Sequence, residues 1–248
     1  MFFKYRTQGL IFKKEDRGEA DQLFTIYTKD FGKLEILGKA IRKISSKLRS
    51  GIEIFYLSEI EFIQGKTYKT LTDAILIEKF QNFRKDLEKL DIAYRASEVL
   101  DNFVKGEESD EKIWNLLLEV FEKLNDLQFI IYNLQLLYYY FFWNLILILG
   151  YKPELYFCPI CQKKLKPEKL YFSAKEGGII CQNCSKSIKT GIKTKPEIVK
   201  VLRKILEKDW KILSRLRNIE EYLKSIETIS KNYSSFILEK RNDNMEKT

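Results

Sequence analysis

Along residues 1–80, short stretches of β-branched and aromatic residues are parted by turn residues. The stretches are 5–12, 23–28, 33–37, 52–63 and 68–77, and the dividers are Asp16-Arg17-Gly18, Asp30-Phe31-Gly32, the segment 45–51 and Gln64-Gly65-Lys66. Within 24–28 and 59–62 apolar and polar residues alternate, the period of a half-buried strand. Five short strands in ~80 residues predict a small closed barrel. The OB-fold has five strands, and an SH3-like barrel fits almost as well on strand count alone.

From about residue 77 the period becomes helical. Leu87, Leu90, Ala93, Tyr94, Ser97 and Leu100 form one stripe, and Ile113, Leu117, Val120, Phe121 and Leu124 form a second. Residues 127–151 contain no charged side chain, a length that invites comparison with a membrane span. Asn133, Gln135, Asn144 and a group of tyrosines favour instead the buried central helix of an all-α domain. Gly150 followed by Pro153 is a helix stop. Ile198, Leu202, Ile205, Ile212, Leu216, Ile219, Leu223 and Ile226 resume the 3–4 spacing, as one long helix or as two that break near Asp209. The expected organisation is α+β and multidomain: a barrel at 1–80, helices at 81–154, a four-cysteine module at 155–195, further helices at 196–240 and a frayed tail at 241–248.

Charge changes this picture from geometry to partners. The 248 residues carry 44 Lys and Arg against 35 Asp and Glu, a formal charge of +9. It is uneven: +4 over 1–80, −5 over 81–150, +7 over 151–200 and +3 over 201–248. A basic front and a basic cysteine region around an acidic middle fit an anionic partner such as nucleic acid. No histidine is present, which excludes Ser-His-Asp and Cys-His catalysis and any imidazole metal ligand. No Walker A loop, GxGxxG, paired-carboxylate motif or nucleophile with a base is visible, so binding without catalysis is expected. The first residues show no secretory h-region, and a cytoplasmic, nucleoid-associated location is expected.

The four cysteines stand as Cys158-x2-Cys161 and Cys181-x2-Cys184, nineteen residues apart. In a reduced compartment this spacing favours metal over disulfides, and four thiolates suit one tetrahedral Zn2+ with no open position, a structural site. Disulfide-linked hairpins and an iron–sulfur cluster are the alternatives. Lys163, Lys164, Lys166 and Lys169 lie between the pairs. In the barrel, Lys39, Arg42, Lys43, Lys47 and Arg49 fall within eleven residues that hold no acid, the densest site for phosphates. Phe2, Phe3, Tyr5, Phe31 and Tyr68 are candidate partners for stacked bases.

These parts resemble the bacterial RecO recombination-mediator family over roughly residues 1–240. The matching runs are Thr7-Gln8-Gly9-Leu10-Ile11, Gly18-Glu19-Ala20-Asp21 and the segment 24–33. Gly38-Lys39-Ala40-Ile41-Arg42-Lys43 is similar to the family's basic Gly-x-Ala-Arg-Arg segment, with Ile41 in place of one arginine. Leu149-Gly150-Tyr151-Lys152-Pro153-Glu154-Leu155 leads into the first CxxC, and Phe172-Ser173 with Gly177-Gly178 leads into the second. The resemblance implies an OB-fold, a helical domain and an inserted zinc module. It also implies binding of single- and double-stranded DNA, strand annealing, and work with RecR and single-strand-binding protein to load RecA onto gapped DNA. The acidic, apolar-ended tail of single-strand-binding protein is expected in a helical groove, with Lys200, Arg203, Lys204, Lys211, Arg215 and Arg217 as its cationic rim. Two other readings remain: a zinc-ribbon RNA-binding protein of translation or transcription, and a nucleic-acid-modifying enzyme whose active site is not evident.

Overall fold

The computed structural model of the chain describes residues 3–127, 134–189, 191–216 and 219–245. The chain packs as two units, Met1–Phe129 and Ile130–Thr248. The first opens with five strands, β1 (Lys4–Arg17), β2 (Asp21–Thr28), β3 (Gly32–Gly38), β4 (Leu57–Ile63) and β5 (Lys69–Glu78). They form a closed barrel in the order β1-β2-β3-β5-β4. All pairings are antiparallel except β3 with β5, where Ile36 lies opposite Lys69 and Leu37 opposite Thr70. This is the OB arrangement, and it resolves the ambiguity that strand count leaves. Inward residues such as Ile11, Phe24, Ile26, Leu34, Ile36, Ile60 and Phe62 fill the interior. Gly9 lets β1 cross this core, since a Cβ there would stand 2.6 Å from Ile26 and 2.9 Å from Ile60.

Residues 52–56, expected to begin the fourth strand, do not. Phe55 adopts a left-handed backbone (φ 63°), and its N–H donates to the Ile11 carbonyl while Ile11 donates to Tyr56. The apolar residues here are buried by plugging the barrel rather than by joining its ladder. The Phe55 ring packs against Phe83 (5.8 Å between centroids), Tyr94 (4.8 Å) and Phe121 (5.6 Å). These contacts draw in α1 (Leu87–Phe103) and α2 (Glu111–Asn125), capped by Asp86 and Asp110. Lys33 Nζ donates to the Asp101 carboxylate at 2.9 Å, a second tie between barrel and α1. The first two helices therefore pack in the same unit as the barrel. The expected stripe on α1 holds in part. Ala93, Ser97 and Leu100 are buried as expected, but Leu87 and Tyr94 are 84% and 51% exposed, Ile92, Ala96, Val99 and Phe103 widen the buried face, and Lys89 is buried with its ammonium on the Asp126 carbonyl.

The second unit comprises α3 (Leu134–Ile148), β6 (Leu170–Ser173), β7 (Gly178–Cys181), α4 (Gln182–Ile188), β8 (Ile192–Thr194), α5 (Pro196–Leu206), α6 (Trp210–Leu213) and α7 (Ile219–Met245). The three strands form one sheet in the order β7-β6-β8. α3 is the buried helix expected from its lack of charge. Its Asn144 amide donates to the carbonyls of Tyr140 and Ile205, which ties α3 to α5. Asn133 lies outside the described residues. Among those described, no helix is long and apolar enough to cross a membrane. The helical break near Asp209 is present, with Asp209 capping α6 through the Ile212 N–H. The expected frayed tail is helical as far as Met245.

One aromatic cluster joins the sheet to the helices. Trp143 on α3 stacks on Tyr233 of α7 (5.5 Å, 18°), and Phe172 of β6 meets both rings edge-on. Trp143 Nε1 donates to the buried Ser230 Oγ at 3.0 Å. Trp143→Phe leaves that hydroxyl without its donor, and urea unfolding followed by circular dichroism should show a loss of ~1–3 kcal/mol. Adding Ser230→Ala should restore part of this loss, because the orphaned polar group is then gone.

Candidate nucleic-acid interface and metal centre

The parallel closure of the barrel leaves β3 and β4 joined by residues 39–56, and this connection carries all five candidate cations. Its path is set from within. Ala40 takes a left-handed backbone (φ 52°), and its N–H donates to Asp21 Oδ1 at 2.7 Å. Arg42 N–H donates to the Ala20 carbonyl, and Lys43 and Ser46 close successive turns on Ala40 and Lys43. A short 3-10 turn follows at Lys47–Ser50. Gly51 then passes so close to β5 that a Cβ would stand 1.9 Å from the Ala74 carbonyl oxygen. Ile41 is 2% exposed and sits in the barrel core. It anchors the connection and takes no place on its outer face.

Lys39, Arg42, Lys43, Lys47 and Arg49 are all exposed on that face. Arg42 shares its charge with Asp16 at 3.3 Å. The other four have no acidic partner among the described residues. The aromatic candidates divide. Tyr5 and Phe31 pack with Phe62 into a cluster at centroid distances of 5.4–5.8 Å. Phe3 is exposed, Tyr68 is half-buried, and Phe2 lies outside the described residues.

The cysteines converge as their spacing predicts. In the first knuckle, Cys158 N–H donates to the Lys163 carbonyl and Gln162 N–H to Cys158. In the second, Cys181 ends β7 and precedes α4, which holds Cys184. Gly177 makes the turn before β7 (φ 72°), and Gly178 has a different task. Glu154 N–H donates to Gly177 and Ile179 N–H to Glu154, so the chain entering the first knuckle lies on the strand entering the second. A Cβ on Gly178 would stand 2.2 Å from the Glu154 carbonyl oxygen.

The four sulfurs lie within 4.8 Å of one another, with Cys161 and Cys181 Sγ 3.9 Å apart. All four are free thiols, so the hairpins are not disulfide-linked. Four sulfurs at ~2.3 Å from one ion stand about 3.8 Å apart in a tetrahedron, close to this spacing. The electrostatics agree. Burial raises the Cys158 thiol, but backbone N–H groups of Cys161, Cys181 and Ile160 outweigh it and bring it down to about 7. Burial, then the neighbouring thiols, push Cys184 up to about 12. Thiols packed this closely favour one another's neutral form, and a bound dication would offset that repulsion between thiolates. The donor set fits a metal ion.

The C-terminal cations fare differently. Arg203 donates to the Leu155 carbonyl and lies 4.3 Å from the Tyr156 ring centroid. Lys204 pairs with Glu207 at 2.7 Å and Asp209 at 3.3 Å. Both have partners inside the unit, and Lys200, Lys211 and Arg215 of the expected rim are exposed. Arg217 lies outside the described residues.

Comparison with known proteins covers both units. The family described as Recombination protein O N terminal matches residues 1–80, and that described as Recombination protein O C terminal matches 84–245. The chain belongs to the RecO family. A DNA repair protein RecO of Dehalococcoides mccartyi is 35% identical over 236 residues, covering 95% of this chain and 91% of the relative. Those of Roseiflexus sp. and Desulforamulus reducens are 30% and 26% identical, covering 95% and 96% of this chain and 82% and 91% of the relatives. RecO membership places the chain among DNA repair proteins.

Because Gly178 sets the approach of the two knuckles, Gly178→Ala should part them while leaving every thiol in place. Competition with a chromogenic chelator should show metal held about 10-fold or more weakly, the usual effect of disturbing the residues that support metal ligands.

Proposed function

We propose that this protein is a DNA-binding and strand-annealing mediator of recombinational repair. With RecR it helps RecA load onto single-stranded DNA coated with single-strand-binding protein. The observation that carries the reading is the β3–β4 connection of a closed OB barrel, pinned from inside by Ile41 and lined outside by five exposed cations, four of them unpaired among the described residues. Such a surface neutralises phosphates and reads no base edge, as a protein acting on gaps of any sequence requires. It binds single and double strands alike through the backbone they share. Annealing then needs no catalytic group, and a labelled oligonucleotide should remain intact with the protein present.

The four thiolates are assigned one structural Zn2+ per chain, held by Cys158, Cys161, Cys181 and Cys184. The ion would fix the two knuckles and perform no chemistry, since four protein ligands leave no open position. For the tail of single-strand-binding protein, Lys200, Lys211 and Arg215 are the cations still available to its carboxylates, and its binding should weaken as salt rises.

Two measurements test these assignments. Log K for single-stranded DNA should fall with log salt by ~0.7 per phosphate neutralised, and Lys39→Ala/Arg42→Ala/Lys43→Ala should flatten that slope by up to ~2 units. A triple variant with unchanged affinity and slope would remove the barrel from the DNA site, and preference for RNA over DNA of the same sequence would favour the ribbon-type RNA-binding reading. Elemental analysis of protein purified reduced and without chelator should give one zinc per chain, and Cys181→Ser should lose it and loosen 155–195 more than the barrel.

A further inference from the structure

The first knuckle presents a surface that the metal does not use. Residues 156–165 form a short hairpin: Leu165 N–H donates to the Tyr156 carbonyl, and Phe157 lies opposite Lys164. The hairpin is held at its base from two directions. Glu154 accepts the N–H groups of Tyr156 and Phe157 at 2.7 and 3.0 Å. The Tyr156 ring is covered by Arg203, and its hydroxyl donates to Glu207 at 2.7 Å. Tyr156 is thus committed to α5. Phe157 and Ile160 are not: they remain 45% and 40% exposed, with no ring partner for Phe157 among the described residues.

Cations share the hairpin with these two apolar side chains, Lys164 lying opposite Phe157. Lys163, Lys164 and Lys166 are exposed and have no acidic partner among the described residues. Only one acid, Glu168, occurs in the whole of 156–169. A fixed aromatic face beside unpaired lysines is the combination that binds single strands, where bases stack on the ring and ammonium groups take the phosphates. An acidic protein segment would satisfy the lysines but has no need of a flat ring.

We infer that this hairpin is a second single-stranded nucleic-acid site, with Phe157 stacking a base and Lys163, Lys164 and Lys166 holding the adjoining phosphates. The inference rests on the proposed annealing role and deepens it. A protein that pairs two strands gains from holding them on separate surfaces, and this one lies in a different unit from the barrel.

The full-length, zinc-loaded protein is titrated with a fluorescent oligo-dT, which has no secondary structure. Three proteins are compared with the wild type: Phe157→Ala, Lys163→Ala/Lys164→Ala/Lys166→Ala, and the barrel variant Lys39→Ala/Arg42→Ala/Lys43→Ala. Phe157→Ala should weaken binding about 5- to 100-fold without changing the salt slope. The hairpin lysine variant should flatten the slope by up to ~2 units. Phe157→Tyr, which keeps the ring face, should bind as the wild type does. Annealing of complementary strands should slow in both hairpin variants. None of these substitutions touches a thiol, and zinc content is measured on each protein. Wild-type affinity and slope in both hairpin variants would overturn the inference and, if the barrel variant is impaired, leave the annealing role standing. Loss of acidic-peptide binding with oligo-dT binding intact would likewise overturn it. A wild-type protein that does not bind oligo-dT would overturn both.

Discussion

Closure of the barrel rests on a short parallel ladder between β3 and β5, and much of the molecule follows from it. A parallel neighbour cannot be reached by a tight turn, so the chain must leave β3, cross the barrel and return through β4 before β5 can pair. The crossing segment 39–56 is the result. It buries Ile41, Ile52 and Phe55 and exposes Lys39, Arg42, Lys43, Lys47 and Arg49. One face of the segment is thus a plug and the other a basic surface. The same plug, through Phe55, gathers Phe83 and Phe121 and so brings the first two helices onto the barrel. The basic surface is anchored because the side opposite it belongs to a hydrophobic core.

Local patterns were readable where the cause is local. Runs of β-branched and aromatic residues between turn signals located all five strands, although β1 runs on to Arg17 and β4 begins only at Leu57, and the CxxC spacing pointed to four converging thiols. What sequence pattern could not show depends on distant partners. Phe55 looks like a strand residue because nothing nearby marks its left-handed backbone or its contact with Phe121, sixty-six positions later. Leu87 looks like core, yet it sits at an exposed first turn, while Lys89 is buried because its stem packs and its ammonium reaches Asp126. The change in periodicity near residue 80 is local, whereas the aromatic contacts from Phe55 to Phe83 and Phe121 that cross it are not.

The candidate sites divide in the same way. The barrel cations and the cysteines were identifiable from density and spacing. Arg203 and Lys204 look like neighbouring exposed cations of one helix, but Leu155, Tyr156, Glu207 and Asp209 claim them only in the folded chain. Gly178 reads as half of a turn, and its necessity appears only when Glu154 is seen lying against it. Phe157 gave no signal of its own, since its exposure is evident only in the folded chain.

The cluster of Trp143, Tyr233 and Phe172 has a bearing on how the four-cysteine module could be altered. An insertion between helices is commonly treated as a cassette that can be excised and its ends rejoined. Here the strand carrying Phe172 supplies one wall of the helical core, and the ring is fully buried there. Removing the module would uncover the Trp143 and Tyr233 faces it shields, and each large ring contributes on the order of 150–250 Å2 of burial. A shorter linker in its place would therefore need its own apolar residue at that wall, so the module's length is constrained by the helices as much as by the spacing of the four cysteines.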